Sequence, residues 1–401
     1  MRVAILGLGL IGGSIGLAAR RAIGEAAATE GTSEIQPAGL GQSAAAGSEA
    51  TGTQRAAQAG AVSTLGRPPA EVCGYDPDPR AREAALALGA IDVQAPDIAA
   101  AVQGADVVFV AAPVGVIPAV VRQALDSAGP DCVVSDVGST KRALAGAEED
   151  ERFVGGHPLA GAETAGVEHA REDLFDGATW YLSPARGTAG VLYERLHRLL
   201  RSFGARPTAI DADTHDRLMA CVSQLPHVLA NLLVAQAAGL LGAEQLQRLP
   251  AVGPSFRDAT RVAGANSAIW TDIYMSNRDA LTAGIDDLAK RLEHVRMALE
   301  AGDAAAVTAW NEHAHADRDL LLSAGLAGGP AAELRASVPN RPGVIAEIAL
   351  ALGRAGVNIV DMVLSPSEDN RQGVVALWIA DEHAGRAREL IASLGFRVVQ
   401  A

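Results

Sequence analysis

Two short stretches carry side chains that could transfer a proton. GGHPLAGAE places His157 between Gly156 and Pro158, directly after an apolar strand, and VVSDVGSTK places Ser139 at the end of another strand. A histidine held at the end of a buried strand suits general acid–base catalysis. Ordinary alternatives stay open: His157 could cap the helix after it, and Ser139 with Thr140 could form a helix N-cap.

A second group of residues could bind an anion. Asp258 and Arg261 lie at i and i+3 in FRDATRVAG, a spacing that places both on one face of a helix. An arginine held by a neighbouring aspartate is oriented for bidentate capture of a carboxylate. A solvated surface ion pair is the alternative, and it would contribute less than about 1 kcal/mol.

The chain opens on RVAILGLGLIGGSIGL, an apolar strand followed by closely spaced glycines and a helical pattern. In a dinucleotide-binding turn, Gly7 would permit the tight turn, Gly9 would let the backbone approach a pyrophosphate, and Gly12 would let the helix pack on the strand. The amides of Leu10 and Ile11 would then face the phosphates. A structural turn that binds nothing is the alternative.

A dinucleotide site also needs an acidic residue at the end of the second strand. EVCGYDPDP supplies Asp76 there, provided that residues 24–70 are set aside as an insertion. That segment is rich in Ala, Gly, Ser and Thr and lacks periodicity, so we expect a flexible surface loop. A carboxylate at this position accepts the ribose hydroxyls of NAD and repels the 2′-phosphate of NADP. The residues therefore predict NAD as the cofactor.

The elements that must position these residues fall into three blocks. Over residues 1–208 strands alternate with helices, which predicts a Rossmann-type α/β nucleotide-binding domain with a parallel sheet, its first helix spanning 10–23. Residues 209–326 have the pattern of long apolar helices, an all-α dimerisation and substrate domain. The tail, residues 331–401, has the βαββαβ order of a ferredoxin-like unit.

Composition narrows the class of protein. The chain has 401 residues, 49% of them hydrophobic, and a formal net charge of −14, which argues against nucleic acid or an anionic membrane as a partner. We expect Cys73, Cys132 and Cys221 to be buried, reduced thiols of a cytoplasmic protein, with neither a metal site nor a disulfide. We find no signal peptide, and we expect no apolar run long enough to span a membrane.

The motifs, in their order, resemble the prephenate/arogenate dehydrogenases of tyrosine biosynthesis. The stretches that carry the resemblance are the glycine loop, AAPV, DVGSTK, GGHPLAGAE, SQLPH and FRDATRVA…IWTDI, over roughly residues 1–325 apart from the insertion. The tail, with VPNRPGVIAEIALALGRAGVNIVDM, resembles an ACT domain. The resemblance implies a homodimer that converts prephenate to 4-hydroxyphenylpyruvate by NAD-dependent oxidative decarboxylation.

The resemblance also implies roles for individual residues. His157 would hydrogen-bond the ring hydroxyl of prephenate, Ser139 would orient that hydroxyl and the histidine next to the nicotinamide, and Arg261 would grip a substrate carboxylate. A neutral histidine suits the proton transfer, and a dianionic substrate needs a cation in a protein of this charge. Further positions implied are Glu163, His227, Asp258 and Trp270 for the substrate and Pro113 for the cofactor.

The tail offers a regulatory site. Asn340 and Gly343 stand at the start of a predicted helix, opposite Asn358 at the start of the next strand. Amides there could take an amino-acid carboxylate, and the asparagine side chains could take its amine. L-tyrosine, the end product, is the expected effector. A module that only pairs subunits through its sheet edge is the alternative.

Three rival functions stay open at this point. Arogenate dehydrogenase would use the same fold on a substrate whose side chain carries an amine in place of the keto group. Another β-hydroxyacid-type dehydrogenase would rely on a lysine of the helical domain, where this chain has only Lys290, in a charged helix. A non-catalytic regulator that senses NAD or an amino acid would need no catalytic histidine.

Overall fold

The computed structural model describes residues 1–31, 71–147, 149–161, 164–246, 253–323, 331–366 and 372–400. In chain order these residues form an eight-stranded sheet with flanking helices, a helical block, and a four-stranded sheet with two helices. The predicted succession of a Rossmann-type domain, an all-α domain and a ferredoxin-like domain is confirmed.

The first domain is built on a sheet of short apolar strands. They are β1 (Arg2–Leu6), β2 (Glu71–Tyr75), β3 (Val93–Gln94), β4 (Val107–Val110), β5 (Val133–Asp136), β6 (Phe153–Pro158), β7 (Thr179–Pro184) and β8 (Arg206–Ala209), in the spatial order β3-β2-β1-β4-β5-β6-β7-β8. The flanking helices are α1 (Leu10–Gly31), α2 (Pro79–Ala87), α3 (Ile98–Val102), α4 (Ile117–Ser127) and α5 (Gly190–Ser202). Strands buried on both faces account for their nearly continuous apolar runs.

The sheet is mixed, and the prediction of a parallel sheet is wrong at one pair of strands. β6 and β7 are antiparallel, with His157 opposite Tyr181, while β1, β4, β5 and β6 are parallel to their neighbours in that order. A parallel pair needs a crossover, usually a helix. In its described part, the β6–β7 connection has only a 3-10 turn, Val167–His169.

The start of the predicted insertion also needs correction. α1 continues to Gly31 rather than ending at residue 23, because the sequence GEAAATE consists mostly of strong helix formers. The remainder of the predicted insertion, 32–70, lies outside the described residues. β2, which follows this segment, pairs in parallel with β1, with Val72 opposite Val3. The two strands on either side of the segment are therefore neighbours in the sheet.

The second domain consists of helices. They are α6 (Ala212–Met219), α7 (Leu225–Leu246), α8 (Pro254–Thr260), α9 (Ser267–Ser276), α10 (Arg278–Glu300) and α11 (Ala304–Ser323). A π-helical turn, Ala220–Gln224, joins α6 to α7, and a 3-10 turn, Arg261–Gly264, follows α8.

One stretch of this domain departs from the expectation about apolar runs. Residues Ala212–Leu240 are long and apolar enough to cross a membrane by length and composition, with a mean hydropathy of 1.6. That is weak evidence for a membrane span, since helices of soluble proteins also meet this criterion. Leu232 and Leu240 are 59% and 79% exposed. An apolar face of this kind is typical of an interaction surface.

The cysteines divide into two kinds. Cys73 and Cys132 are buried, and burial raises the pKa of the Cys132 thiol to about 12, so that it stays protonated. Cys221 is exposed on the π-helical turn, and the expectation that all three are buried is wrong for it. Ala220 and Gln224 of the same turn are buried, so Cys221 is exposed because it lies on the other face of a continuous helical stretch.

The third domain is an antiparallel sheet covered by two helices. Its elements are β9 (Ala331–Pro339), α12 (Val344–Arg354), β10 (Ile359–Pro366), β11 (Gln372–Ala380), α13 (Asp381–Ser393) and β12 (Arg397–Gln400), with strand order β10-β11-β9-β12. α12 packs against α5 and β8 of the first domain. Leu192 and Leu196 belong to the same hydrophobic core as Ile345 and Leu352, so the two domains share buried surface.

Candidate active site

The turn between β1 and α1 has the geometry that its glycines predict. Gly7 adopts φ +103°, and a Cβ there would overlap the carbonyl oxygen of Ala111. A Cβ on Gly12 would overlap the carbonyl of Gly7, so both positions require glycine. A Cβ on Gly9 would meet nothing within 4 Å, so that the backbone there faces open space. The residues therefore fit a dinucleotide pyrophosphate.

Asp76 stands beside this turn, directly after β2. Its carboxylate accepts hydrogen bonds from the amides of Leu8 (2.8 Å) and Asp78 (2.9 Å). Each carboxylate oxygen keeps a further lone pair, so the half-buried group can still accept two hydroxyls. Pro113 is exposed just after β4, next in sequence to the Ala111 segment that contacts Gly7. The predicted cofactor residues thus share one edge of the sheet.

A cavity of about 320 Å³ lies between the first two domains. The ends of β5 and β6 contribute Ser139 and His157, and the helical domain contributes Met219, Gln224 and Trp270. Because β1, β5 and β6 run parallel, the glycine turn, Ser139 and His157 all lie at the carboxyl edge of the sheet, where ligands of such folds bind.

The ring of His157 is held from behind by two residues of α6. Its Nδ1 lies 2.9 Å from Nε2 of His215, and Nδ1 of His215 lies 2.8 Å from Oδ1 of Asp216. The Asp216 carboxylate also accepts the amides of Lys141 (2.7 Å) and Arg142 (3.0 Å). Sequence reasoning missed His215 and Asp216, and the available signal was the adjacent His-Asp pair in DADTHDRLM.

A buried ion pair fixes the backbone that carries His157. The Lys141 ammonium contacts the Asp136 carboxylate and donates to the carbonyl of Gly156 (2.6 Å). Asp136 also accepts the amides of Gly138 (2.8 Å) and Gly156 (3.0 Å). Burial lowers the pKa of Lys141, and the neighbouring Asp136 carboxylate opposes that shift. These bonds lock the strand end immediately before the histidine.

Burial favours the neutral form of both histidines. Burial lowers the pKa of His157 well below its ordinary value, and the proximity of His215 and Lys141 lowers it further. Burial also lowers the pKa of His215, although the hydrogen bond to Asp216 raises it in part. A neutral imidazole has one nitrogen that donates and one that accepts, so His157 is able to take up a proton.

The capping alternatives for these residues are wrong. Thr140 donates to or accepts from the hydroxyl of Ser276 (2.7 Å), and the element that follows is a three-residue 3-10 turn, Arg142–Leu144, without a side-chain cap. No helix begins in the described residues 159–161, and the His157 ring bonds His215. Ser139 and His157 instead line the cavity.

The helical domain brings only some of its predicted residues to the cavity. His227 is buried and stacks on Trp270, with ring centroids 3.7 Å apart. Its Nδ1 contacts the Tyr274 hydroxyl. Burial lowers the pKa of His227. Trp270 thus lines the cavity directly, and His227 supports it from behind.

Asp258 and Arg261 differ from their prediction. α8 ends at Thr260 and Arg261 opens a 3-10 turn, so the two residues do not share one helix face. Both are exposed, and neither lines the cavity in the part of the chain that the structure describes. Glu163 lies outside the described residues.

The predicted regulatory residues face the first domain. Gly343 adopts φ +84° and its amide donates to the carbonyl of Thr188 (2.8 Å), while the Asn358 side chain accepts from the Thr208 hydroxyl (3.1 Å). Asn340 lines a separate small cavity of about 120 Å³ at the interface between the two domains. The structure does not bring the three residues around one open site.

Family models match three segments in chain order. "Prephenate dehydrogenase, nucleotide-binding domain" matches 64–209, "Prephenate dehydrogenase, dimerization domain" matches 211–311, and "ACT domain" matches 332–395. The first match begins at residue 64, after the glycine turn. β1 nevertheless pairs with β2 and β4 in the middle of the same sheet.

Individual proteins agree with these matches. The prephenate dehydrogenase of Bacillus subtilis is 30% identical over 332 residues, 81% of this chain and 89% of that protein, and that of Lactococcus lactis is 27% identical over 77% and 85%. The structure of A. aeolicus prephenate dehydrogenase with hydroxyphenyl propionate and NAD+ superimposes with a TM-score of 0.63 at 24% identity, over 80% of this chain and 98% of that one. Synechocystis arogenate dehydrogenase gives 0.62 at 22% identity, over 80% and 100%.

The two solved structures establish the fold, and the Bacillus relative establishes the family. The resemblance seen in the sequence motifs is confirmed. The chain belongs to the prephenate dehydrogenase family of NAD-dependent oxidoreductases.

Proposed function

We propose that this chain oxidises prephenate to 4-hydroxyphenylpyruvate with NAD+ as the hydride acceptor. The observation that carries the proposal is the placement of His157: Nδ1 is engaged by His215, and the ring lines the cavity at the carboxyl edge of the sheet. Nε2 is then the nitrogen available to the ring hydroxyl of the substrate. A positioned, neutral imidazole is the base that this oxidation needs.

The reaction balances without any further reagent. Prephenate loses a hydride from C4 and CO2 from C1, and the ring becomes aromatic. Nε2 of His157 takes the proton of the C4 hydroxyl as the hydride leaves C4, and returns it to the phenolate oxygen once CO2 has left C1. Ser139, on the same cavity wall, orients that hydroxyl. Since aromatisation drives the step, the residues mainly have to orient the substrate and hold one proton.

Arg261 is the proposed partner of a substrate carboxylate. It follows α8 in a 3-10 turn that packs against α7, and the His227 ring interacts with the backbone of Val262 in the same turn. The turn therefore adjoins the Trp270 wall of the cavity. In a chain of net charge −14, a dianion needs such a cation. Glu163, His227 and Asp258 are proposed to act around it.

The proposed cofactor site uses the glycine turn. Gly7, Gly9 and Gly12 shape the backbone, and the amides of Leu10 and Ile11, in the first turn of α1, would hold the pyrophosphate. The Asp76 carboxylate would accept the ribose hydroxyls and favour NAD over NADP. Bound NAD+ supplies the acceptor for the hydride.

Two further features belong to the proposal. The exposed apolar face of α7, with Leu232 and Leu233, would be covered by a second copy of the chain in a homodimer. We place this enzyme in the cytoplasm. The ACT domain would respond to L-tyrosine, and its contacts with the first domain would transmit the signal. A change in substrate affinity on effector binding is typically worth about 1–3 kcal/mol.

The test measures NADH and NADPH formation from prephenate and from arogenate, each with NAD+ and with NADP+. We expect the highest kcat/KM for prephenate with NAD+. A higher kcat/KM for arogenate would reassign the substrate within the same chemistry. No turnover of either substrate by folded protein that binds NAD+ would contradict the proposal and favour a regulator.

A further inference from the structure

A row of three polar side chains runs from the cavity into the interior. His157 contacts His215, and His215 contacts Asp216, with nitrogen–nitrogen and nitrogen–oxygen distances of 2.9 and 2.8 Å. His215 and Asp216 are fully buried. Although burial raises the pKa of Asp216, the hydrogen bonds from His215 and from the amides of Arg142 and Lys141 lower it below its ordinary value. The inner end of the row is therefore an ionised carboxylate, that of Asp216.

The positions of the protons follow from this order. A carboxylate only accepts, so Nδ1 of His215 must carry the proton of the bond to Asp216. A neutral imidazole has a single N–H, so Nε2 of His215 is an acceptor. The proton of the bond between the two rings then belongs to Nδ1 of His157. Nε2 of His157 is left without a proton.

We propose that His215 is a positioning residue that fixes the tautomer of His157 and so presents the Nε2 lone pair to the substrate hydroxyl. The inference rests on the proposed role of His157 as the base. The opposite tautomer of His157 would point an N–H at the hydroxyl and could not take its proton. A buried acceptor at the position of His215 Nε2 excludes that tautomer, because Nδ1 would then be unprotonated and face another lone pair.

The row also accommodates the proton while it is held. When Nε2 of His157 is protonated, both of its nitrogens donate, and Nδ1–H still points at His215. The positive charge then lies two hydrogen bonds from the Asp216 carboxylate. The opposing charges are Lys141, which is itself paired with Asp136, and Arg142, whose Nε lies 3.3 Å from Oδ2 of Asp216. Asp216 attracts this charge, while burial and Lys141 favour return of the proton from His157.

Two variants of His215 test whether the acceptor matters. His215→Gln keeps an amide oxygen able to accept near the position of Nε2, whereas His215→Leu removes the acceptor. We expect His215→Leu to lower kcat by at least about 10²-fold with the KM for NAD+ unchanged, since a wrong tautomer disables a general base. His215→Gln should retain kcat within about tenfold of the wild type.

A matched control separates this effect from the loss of any buried histidine. His197 on α5 is 1% exposed and lies outside the proposed active site. His197→Leu should leave kcat within about twofold. Full activity of His215→Leu would overturn the proposal, and so would equal loss in the Gln and Leu variants with NAD+ binding intact, because the acceptor would then be irrelevant.

A spectroscopic measurement does not depend on turnover. In 15N-histidine-labelled protein, the ring nitrogens of His157, identified by their absence in His157→Asn, should show a protonated Nδ1 and an unprotonated Nε2. His215→Leu should show a mixture of tautomers. A wild-type His157 protonated at Nε2 would overturn the assignment. This readout holds even if prephenate is not a substrate, so it separates failure of the inference from failure of the proposed function.

Discussion

His157 and Gly343 are both held by hydrogen bonds, but these bonds lie on different sides of the two residues relative to a possible ligand. At His157 they lie behind the ring, through His215 and the Lys141–Asp136 pair, and the ring edge faces a cavity. At Gly343 the amide donates into the neighbouring domain, and Asn358 likewise accepts from Thr208. Both regions are held by polar contacts, but only the first places a histidine ring at a cavity.

This difference separates a site that binds a substrate from a surface that joins two domains. The Gly343 amide has a single hydrogen, already donated to Thr188, so it cannot bind an effector carboxylate in this arrangement. The ACT domain makes one further contact that matters here: Arg354 donates to Asp211 (3.1 Å), and Asp211 caps α6, the helix that carries His215. The ACT domain is therefore linked through the start of α6 to the cavity that His157 lines.

The largest effect is expected from the atom that faces the cavity. His157→Asn should lower kcat by about 10²–10⁴-fold, the usual contribution of a positioned base, and leave the Kd for NAD+ within about twofold. Steady-state kinetics and NAD+ titration measure both quantities. His169→Asn, at an exposed histidine of the β6–β7 connection, is the control. Activity within a few-fold of the wild type in His157→Asn would remove His157 from the mechanism.

The buried Lys141–Asp136 ion pair should contribute to the free energy of unfolding. Lys141→Met leaves the Asp136 carboxylate buried without its cation, and breaking such a pair costs about 3–5 kcal/mol. Denaturant unfolding should show a loss of this size. The chain has one other lysine, Lys290, which is exposed, and Lys290→Met should change the unfolding free energy by less than about 0.5 kcal/mol. Equal effects of the two variants would contradict the structural role of Lys141.

Asp76 should decide between the two cofactors. Asp76→Ser removes the proposed ribose acceptor and its negative charge, so the KM for NAD+ should rise about tenfold or more and the preference should move toward NADP+. Asp78→Ser removes a neighbouring negative charge while keeping a side-chain oxygen able to cap α2, and it serves as the control. The measurement is kcat/KM for both cofactors in each variant. An unchanged preference in Asp76→Ser would place the discriminating acid elsewhere.

The smallest effect is expected at the link between the ACT domain and α6. The Arg354–Asp211 pair is partly exposed, so Arg354→Ala should cost less than about 1 kcal/mol of coupling and raise the tyrosine concentration for half-inhibition up to about fivefold. Arg335→Ala, which removes an ion pair within β9, should leave inhibition unchanged. Removal of 331–401 should abolish most of the inhibition at saturating prephenate. Undiminished inhibition of the truncated enzyme would exclude the ACT domain as the sensor.

The sequence predicts best the features that are determined by residues close together in the chain. The glycines of the first turn, the strand that ends at His157 and the βαββαβ order of the tail are set by residues adjacent in sequence. His215 contacts His157 from 58 residues further along the chain, and no local pattern specifies that contact. The antiparallel β7 and the end of α8 before Arg261 are likewise decided by tertiary packing rather than by propensity.

The pH dependence of kcat/KM for prephenate tests the central claim most directly. His157 must be neutral to act, and a base with a lowered pKa stays neutral down to pH values below its ordinary 6.5. The profile should therefore be level from about pH 6.5 to 8 and fall only at lower pH, as His157 becomes protonated. An acidic limb centred at pH 7 or above would contradict a buried, neutral His157 as the base.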